Sequence, residues 1–211
     1  MAPFFSVVMP SYLGKYKNAA QDRDKKILRA IRSVVNQDYN NCELLIIADG
    51  CRETMNIVQN NVANDIIPVS LHYIKKAKMW SGIPRNTGIE KAVGEWICYL
   101  DIDDIFLHDH LQILHDEIQK HPEADWVWFN DYSYNMDKKR FDEHGINIER
   151  QGQCGTSNIC HKRSMKAMWP RGGTYLHDWR FINTLKAISR NYVKIETPGY
   201  GICHVPHLLD I

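Results

Sequence analysis

WICYLDIDDIF, residues 96–106, runs from five largely apolar residues straight into Asp101, Asp103 and Asp104. Residues 96–100 read as a buried strand. Carboxylates crowded at a strand end repel, and one takes up a proton unless a cation neutralises the pair. If the strand continues, Asp101 and Asp103, two residues apart, point the same way. Hard oxygen donors favour magnesium or manganese. Magnesium takes one or two protein carboxylates and fills its shell with water and phosphate, so the pattern implies a phosphate-bearing partner. The competing reading is a turn of solvated acids that caps a helix starting at Leu107.

Outward from this stretch, strands and helices alternate. Residues 4–9 are a continuous apolar run broken by Pro10-Ser11, the pattern of a buried strand entering a loop. Helical spacing covers 24–35, and 43–48 read as a second strand that ends in Asp49-Gly50. A helix over 55–62 and a third strand over 69–74 follow. Residues 85–93 predict a short helix stopped by Gly94, and 107–120 a longer one ended near Pro122. Strands are expected at 126–129 and 192–195, and helices at 162–168 and 179–189. Residues 133–157 are polar without a clean period, which suits a loop or small hairpin. Such alternation predicts an α/β domain. Ligands of open α/β sheets sit at the carboxyl ends of strands. Here those ends carry Pro10, Ser11 and Tyr12, then Asp49, then the acids at 101–104.

The totals narrow the function classes. With 26 Lys plus Arg against 25 Asp plus Glu, there is no basic field to draw nucleic acid and no solvating acidic character. The six cysteines include no Cys-x-x-Cys pair, which removes the zinc-ribbon and thioredoxin patterns. Cys42 and Cys98 lie in or beside apolar runs and are expected as buried thiols. The first ten residues lack the basic start of a signal peptide, and no apolar run reaches the length of a membrane span. The expected location is cytoplasmic, with a peripheral membrane contact left open because it needs only a surface patch.

Taken whole, IPRNTGIEKAVGEWICYLDIDD, residues 83–104, resembles the family 2 glycosyltransferases with the nucleotide-diphospho-sugar transferase (GT-A) fold. The resemblance rests on Arg85, Asn86, Gly88 and Ile89 opening a helix, on Gly94-Glu95, and on a D-x-D-D run after a hydrophobic strand. VVMPSY at the first strand and AIRSVVNQDYNNCELLIIADGC after it extend the likeness, which is good over about residues 5–110 and weak beyond. It implies a single GT-A domain over 1–211, with a Rossmann-like, mixed, mostly parallel sheet flanked by helices. Residues 1–110 would form the nucleotide-sugar half and 111–211 the acceptor half.

The resemblance also implies roles. Pro10, Ser11 and Tyr12 would line the nucleotide pocket, and Asp49 would accept a hydrogen bond from the base. Arg85 would reach the base or the phosphates. Asp101 would contact the ribose or the metal's water shell, and Asp103 would ligate Mn2+ or Mg2+, which acts as a Lewis acid on the departing nucleoside diphosphate. The expected donor is a UDP- or GDP-sugar and the expected acceptor a glycan, lipid-linked or small hydroxyl compound, with inversion at the sugar. One departure stands out: Ala48-Asp49-Gly50-Cys51 replaces the usual Asp-Asp-Gly-Ser, so an acid is lost and Ser becomes Cys.

In the far half, His177-Asp178-Trp179 occupies the place where family members carry Glu-Asp and an aromatic, so Asp178 takes the catalytic-base position. Asp178 as a helix cap competes with that reading, and His177 as base with Asp178 orienting it ranks lower. Gly172-Gly173 would let the preceding loop move. Trp169, His177 and Trp179 are the expected acceptor contacts, since a sugar's apolar face stacks on aromatic rings. Trp126 and Trp128 are read as core. The GTSN stretch at 155–158 resembles the acceptor region, and His204 the place of a late metal contact. Because 211 residues leave a short acceptor half, a homo-oligomer or a membrane surface is left open to complete it. Three rival readings fit the sequence less well. A haloacid dehalogenase-type phosphatase would use the D-x-D run, but that motif normally opens its domain. A nucleotidyltransferase would want a Gly-rich loop that Leu13-Gly14-Lys15 does not supply. A nucleotide-sugar-binding domain without catalysis would have no reason to keep the acids crowded.

Overall fold

The computed structural model describes residues 4–16, 19–62, 66–135 and 137–203. In chain order the elements are β1 (Phe5–Ser11), α1 (Arg23–Val35), β2 (Cys42–Asp49), α2 (Arg52–Asn61), β3 (Val69–Ile74), α3 (Ile83–Lys91), β4 (Trp96–Tyr99) and β5 (Ile105–Phe106). They continue with α4 (His110–Lys120), β6 (Trp126–Phe129), β7 (Asp131–Asn135), β8 (Arg140–His144), β9 (Ile159–Lys162), α5 (His177–Ile188), β10 (Tyr192–Ile195) and β11 (Tyr200–Ile202).

A seven-stranded sheet in the order β10-β6-β9-β4-β1-β2-β3 forms the centre. All its pairings are parallel except those of β9, which runs antiparallel to both β4 and β6. The mixed, mostly parallel α/β sheet expected from the sequence is therefore present. β1 is buried on both faces, as a central parallel strand must be. Its Val7 and Met9 join Ile27, Ile31 and Val34 of α1 on one side. Val8 packs on the other side with Ile89 of α3 and with Phe181, Ile182 and Leu185 of α5. Each such aliphatic contributes about 1.5–3 kcal/mol by leaving water. A four-stranded sheet, β5-β11-β7-β8, flanks the carboxyl edge of β4.

One expectation is corrected here, and the small hairpin expected within 133–157 is found. Residues 162–168 are not a helix: β9 ends at Lys162, and only a 3-10 turn, Arg163–Met165, follows. The polar segment 133–157 contains the β8 arm of a hairpin with β7. No helix of the described residues is long and apolar enough to cross a membrane.

The antiparallel β9 matters for the site. Parallel strands β4, β1 and β2 all deliver their carboxyl ends to one rim. Because β9 runs the other way beside β4, it is the residues just before it, Thr156 to Asn158, that reach that rim.

Candidate functional site

At this rim lies a cleft of about 630 Å³. Pro10, Ser11, Tyr12, Asp49, Arg85, Asp101, Asp103, His177, Asp178 and Trp179 all border it, so one concavity gathers most of the residues singled out from the sequence.

The loop after β1 is fixed by a residue the sequence reading missed. Buried Arg23 of α1 donates to the carbonyls of Tyr12 (2.8 Å), Leu13 (3.1 Å) and Gly14 (2.8 Å). That grip holds Tyr12 stacked near Tyr16, with ring centroids 6.5 Å apart. The Ser11 hydroxyl is engaged with Thr54 at 2.8 Å and so is directed into the protein. Gly50, at φ +66°, makes the turn after β2. Asp49 accepts from Lys76 Nζ and from the Ala77 amide, both at 2.6 Å, and Lys76 Nζ lies 3.8 Å from the centre of the Tyr12 ring. Both Asp49 oxygens keep lone pairs for a further donor. Cys51, which stands where Ser is usual, sits at the start of α2 and accepts the Leu13 amide at 3.4 Å.

The acids at 101–104 separate into different environments. β4 stops at Tyr99, so Asp101 to Asp104 form a turn rather than a continued strand, and the shared-face expectation does not hold. Asp104 faces inward, accepting from the Tyr200 hydroxyl and, at 2.7 Å, from the Cys203 amide. It ties β11 to the turn. Burial, then the charges of Asp103 and Asp101, hold its carboxyl well above the usual range. Asp101 accepts from Arg85 Nη2 at 2.8 Å. Burial pushes its pKa up, Arg85 pulls it down, and Asp103 and Asp178 push it up again. The main chain of Asp103 is held by Arg29, whose Nη2 donates to its carbonyl at 2.7 Å.

Donor chemistry shows what cation these groups suit. Among the described residues no three His, Cys, Asp or Glu side chains converge as a metal cage. Asp104 is engaged by Tyr200 and Cys203, and Asp101 and Asp103 border the cleft beside it. One or two carboxylates completed by phosphate and water are what magnesium accepts. The pair therefore fits a hard cation shared with a diphosphate and does not fit a site built from protein alone. His204 and His207 lie outside the described residues.

Asp178 sits in the first turn of α5. The helix begins at His177 and its cap position is Leu176, with no side-chain capping bond, so Asp178 is not the cap. Its Oδ1 accepts from Thr156 Oγ1 at 2.5 Å and lies 2.9 Å from His177 Nε2. Oδ2 has no protein partner among the described residues. Burial raises the Asp178 pKa, but His177, Thr156 and Arg85 outweigh it and hold the carboxyl below its ordinary value. His177 Nδ1 lies 3.2 Å from the Thr174 carbonyl. Both ring nitrogens of His177 thus face acceptors within the protein, which places the ring to orient Asp178. Thr156, within the GTSN stretch, does the same from the other side.

Trp169 corrects another expectation. It is 2% exposed and stacks on Phe181 with centroids 3.9 Å apart, so it offers no face to a sugar. Its ring instead carries the Arg85 guanidinium at 5.0 Å. Asn86 brackets its backbone, donating to the Trp169 carbonyl (3.0 Å) and accepting from its amide (2.7 Å). Trp179 is half-buried on the cleft wall, and Trp126 is core as expected.

Comparison with known proteins identifies the family and the fold. The family model for glycosyl transferase family 2 matches residues 6–187. An uncharacterized glycosyltransferase of Haemophilus influenzae is 32% identical over 111 residues, 52% of this chain and 40% of that protein. Staphylococcus aureus TarS 1–349 in complex with UDP superposes with a TM-score of 0.74 at 16% identity, covering 93% of this chain and 59% of that one. The mannosyltransferase PcManGT of Pyrobaculum calidifontis, solved with GDP-Man and Mn2+, gives 0.64 at 14% identity, over 96% and 57%. These structures share the fold. The chain spans less than half the length of the curated relatives it matches.

Proposed function

The chain belongs to glycosyl transferase family 2, and from that premise we propose that it transfers one sugar from a nucleoside diphosphate sugar to an acceptor hydroxyl, with inversion. The observation that carries this reading is the arrangement of Asp101, Asp103 and Asp178 around one cleft, with the Asp178 Oδ2 left unpartnered.

Tyr12, Asp49 and Lys76 form the end suited to a base: a ring face, an acceptor and a cation. Residues 1–110 would thus hold the donor, and 111–211 would supply the acceptor groups. Arg85 offsets the charge of Asp101 and brings a cation beside the diphosphate. Mn2+ or Mg2+ at Asp103, with Asp101 beside it, would supply Lewis-acid stabilisation of the nucleoside diphosphate as it leaves. Asp178 would take the acceptor hydroxyl's proton on Oδ2 as the hydroxyl oxygen attacks the anomeric carbon and the bond to phosphate breaks. His177 and Thr156 fix Oδ1, so Oδ2 is the oxygen presented. Trp179 is placed to meet the acceptor, a glycan or a lipid-linked saccharide.

UDP and GDP-Man in the structural neighbours make both nucleotides worth testing. The haloacid dehalogenase reading is disfavoured, because β1, β2 and β3 precede the acids and the family match spans them all. The test is calorimetric titration of UDP and GDP, each with and without manganese, on the wild type and on Asp103→Asn. Binding of one nucleotide only with metal, lost in the variant, is the expected result. Equal binding by both proteins would remove Asp103 from the metal role. Absence of binding to either nucleotide by folded wild type would overturn the transferase reading.

A further inference from the structure

Three of the large apolar side chains exposed among the described residues, Trp80, Tyr175 and Leu176, gather at the mouth of the cleft, and the exposed Ile83 follows three residues after Trp80. They come from two loops that are distant in sequence and stitched together. Gly82 donates its amide to the Pro170 carbonyl at 2.9 Å, and the Ser81 hydroxyl donates to the Arg171 carbonyl at 2.9 Å. The edge of one ring meets the face of the other where Trp80, 47% exposed, packs against Tyr175, 76% exposed, at 5.8 Å. Trp80 is displayed from a left-handed backbone, φ +53°, a conformation large side chains rarely adopt.

The charged residues of the two loops themselves have one sign, while the acids lie deeper in the cleft. Lys75, Lys78 and Arg171 are exposed on the same two loops. No Asp or Glu occurs in residues 66–89 or 151–177, although the chain holds 25. The acids nearest in sequence to these segments include Asp178, which lies within the cleft. Apolar side chains that include Trp and Tyr, ringed by Lys and Arg, match the two layers of a lipid interface, where rings sit at headgroup depth and cations meet phosphate. A sugar subsite would set carboxylates or amides beside the rings to meet hydroxyls. Residues 75–83 and 168–177 contain no Asp, Glu, Asn or Gln, and they add the aliphatic Ile83 and Leu176.

We propose that this patch seats the mouth of the cleft on an anionic phospholipid bilayer. Trp80, Tyr175, Ile83 and Leu176 enter the interface, and Lys75, Lys78 and Arg171 face the headgroup phosphates. If the proposed transferase function holds, the acceptor class this selects is a lipid-linked saccharide presented at the bilayer surface. The docking itself does not depend on that function.

The experiment is sedimentation of the full chain with vesicles of phosphatidylcholine alone and of phosphatidylcholine mixed with phosphatidylglycerol, at low and high salt. Binding to the anionic vesicles, weakened by salt, is expected. Replacing three cations together (Lys75→Gln, Lys78→Gln, Arg171→Gln) should weaken it on the order of 100-fold, at about fivefold per cation. Trp80→Ser with Tyr175→Ser should also reduce it, with circular dichroism confirming that both variants are folded. Equal affinity for neutral and anionic vesicles, no binding to either, or wild-type binding by both variants would overturn the proposal. So would a soluble oligosaccharide such as maltohexaose that shifts tryptophan fluorescence in the wild type while vesicles leave it unchanged. Titrations with UDP and GDP on the same preparations keep the two readings apart: vesicle binding without nucleotide binding removes the transferase reading, and the reverse removes the docking.

Discussion

Below about pH 6.5 the fold should lose stability through His110, and replacing that residue should remove the loss. His110 opens α4, is 1% exposed, and packs on the rings of Phe106 and Phe129 at 4.2 and 5.0 Å. Neither ring nitrogen has a hydrogen-bond partner among the described residues. Burial alone pushes its pKa down to about 3. Its folded pKa is therefore below the unfolded value, so the unfolded chain binds the proton first and stability falls as pH drops from about 6.5 toward 3. Between pH 7.5 and pH 5 the unfolded histidine gains about 1.5 pH units of protonation that the folded one does not, worth about 2 kcal/mol at 1.36 kcal/mol per unit. His110→Leu keeps a similar volume and removes the titrating ring. Urea unfolding of both proteins at pH 7.5 and pH 5 measures the difference. The wild type should lose about 2 kcal/mol more than the variant across that interval. At pH 7.5 the variant should be as stable or more so, because unpaired buried nitrogens cost about 1–3 kcal/mol. Equal pH dependence in the two proteins would refute a neutral, unpaired His110.

Asp178→Asn should retain nucleotide binding and lose about 10²–10⁴-fold in transfer, the usual worth of a general base; near-wild-type turnover with any acceptor found would remove the base assignment. Asn86→Ala leaves the buried amide and carbonyl of Trp169 without their side-chain partner and should cost about 2–5 kcal/mol in urea unfolding; a loss under about 0.5 kcal/mol would deny the bracket. Gly88→Ala discriminates between local and tertiary control. Helix propensity alone favours alanine by about 1 kcal/mol, but a Cβ there would run into Val8 on β1. A net loss of about 1–3 kcal/mol is expected, and a gain would show that α3 can lift off the sheet.

The elements legible in the sequence are those whose burial leaves a period. β1, β2 and β4 are apolar on both faces because they lie inside the sheet, and α1 and α4 each show one apolar stripe. β9 left no such mark. It is four residues long, and its fully buried His161 is rendered harmless by a 2.7 Å hydrogen bond with Tyr99, a partner 62 residues away. Lys162 at its end and Arg163 and Met165 after it look like helix formers, but the pairing of β9 between β4 and β6 decides the outcome. β5 and β11 are two and three residues long, too short to carry a period. In the site, the acids and Arg85 could be found by position. Their partners could not: Thr156 reaches Asp178 only because β9 reverses direction, and Tyr200 reaches Asp104 across 96 residues. Trp169 was misplaced because an aromatic near the cleft suits a sugar as well as it suits a core. Only the 3.9 Å stack on Phe181 decides for the core.

The helix α3 shows why the spacing Arg85-Asn86-x-Gly88-Ile89 reads as a unit. Ile89 and Gly88 fix the helix to the sheet, the first by entering the core with Val8 and the second by leaving room for the Val8 side chain against the helix backbone. That contact sets the height of the helix over β1. Arg85 and Asn86, one turn earlier, then lie over the loop that carries Trp169. Asn86 latches the backbone of that loop while Arg85 rests on its ring and reaches Asp101. The helix thus joins the acid turn after β4 to the segment leading into α5 and Asp178. A shift of α3 by the width of one methyl group at residue 88 would disturb Asp101 and the Trp169 loop together. Gly88 therefore bears on the geometry of the cleft although it does not border it.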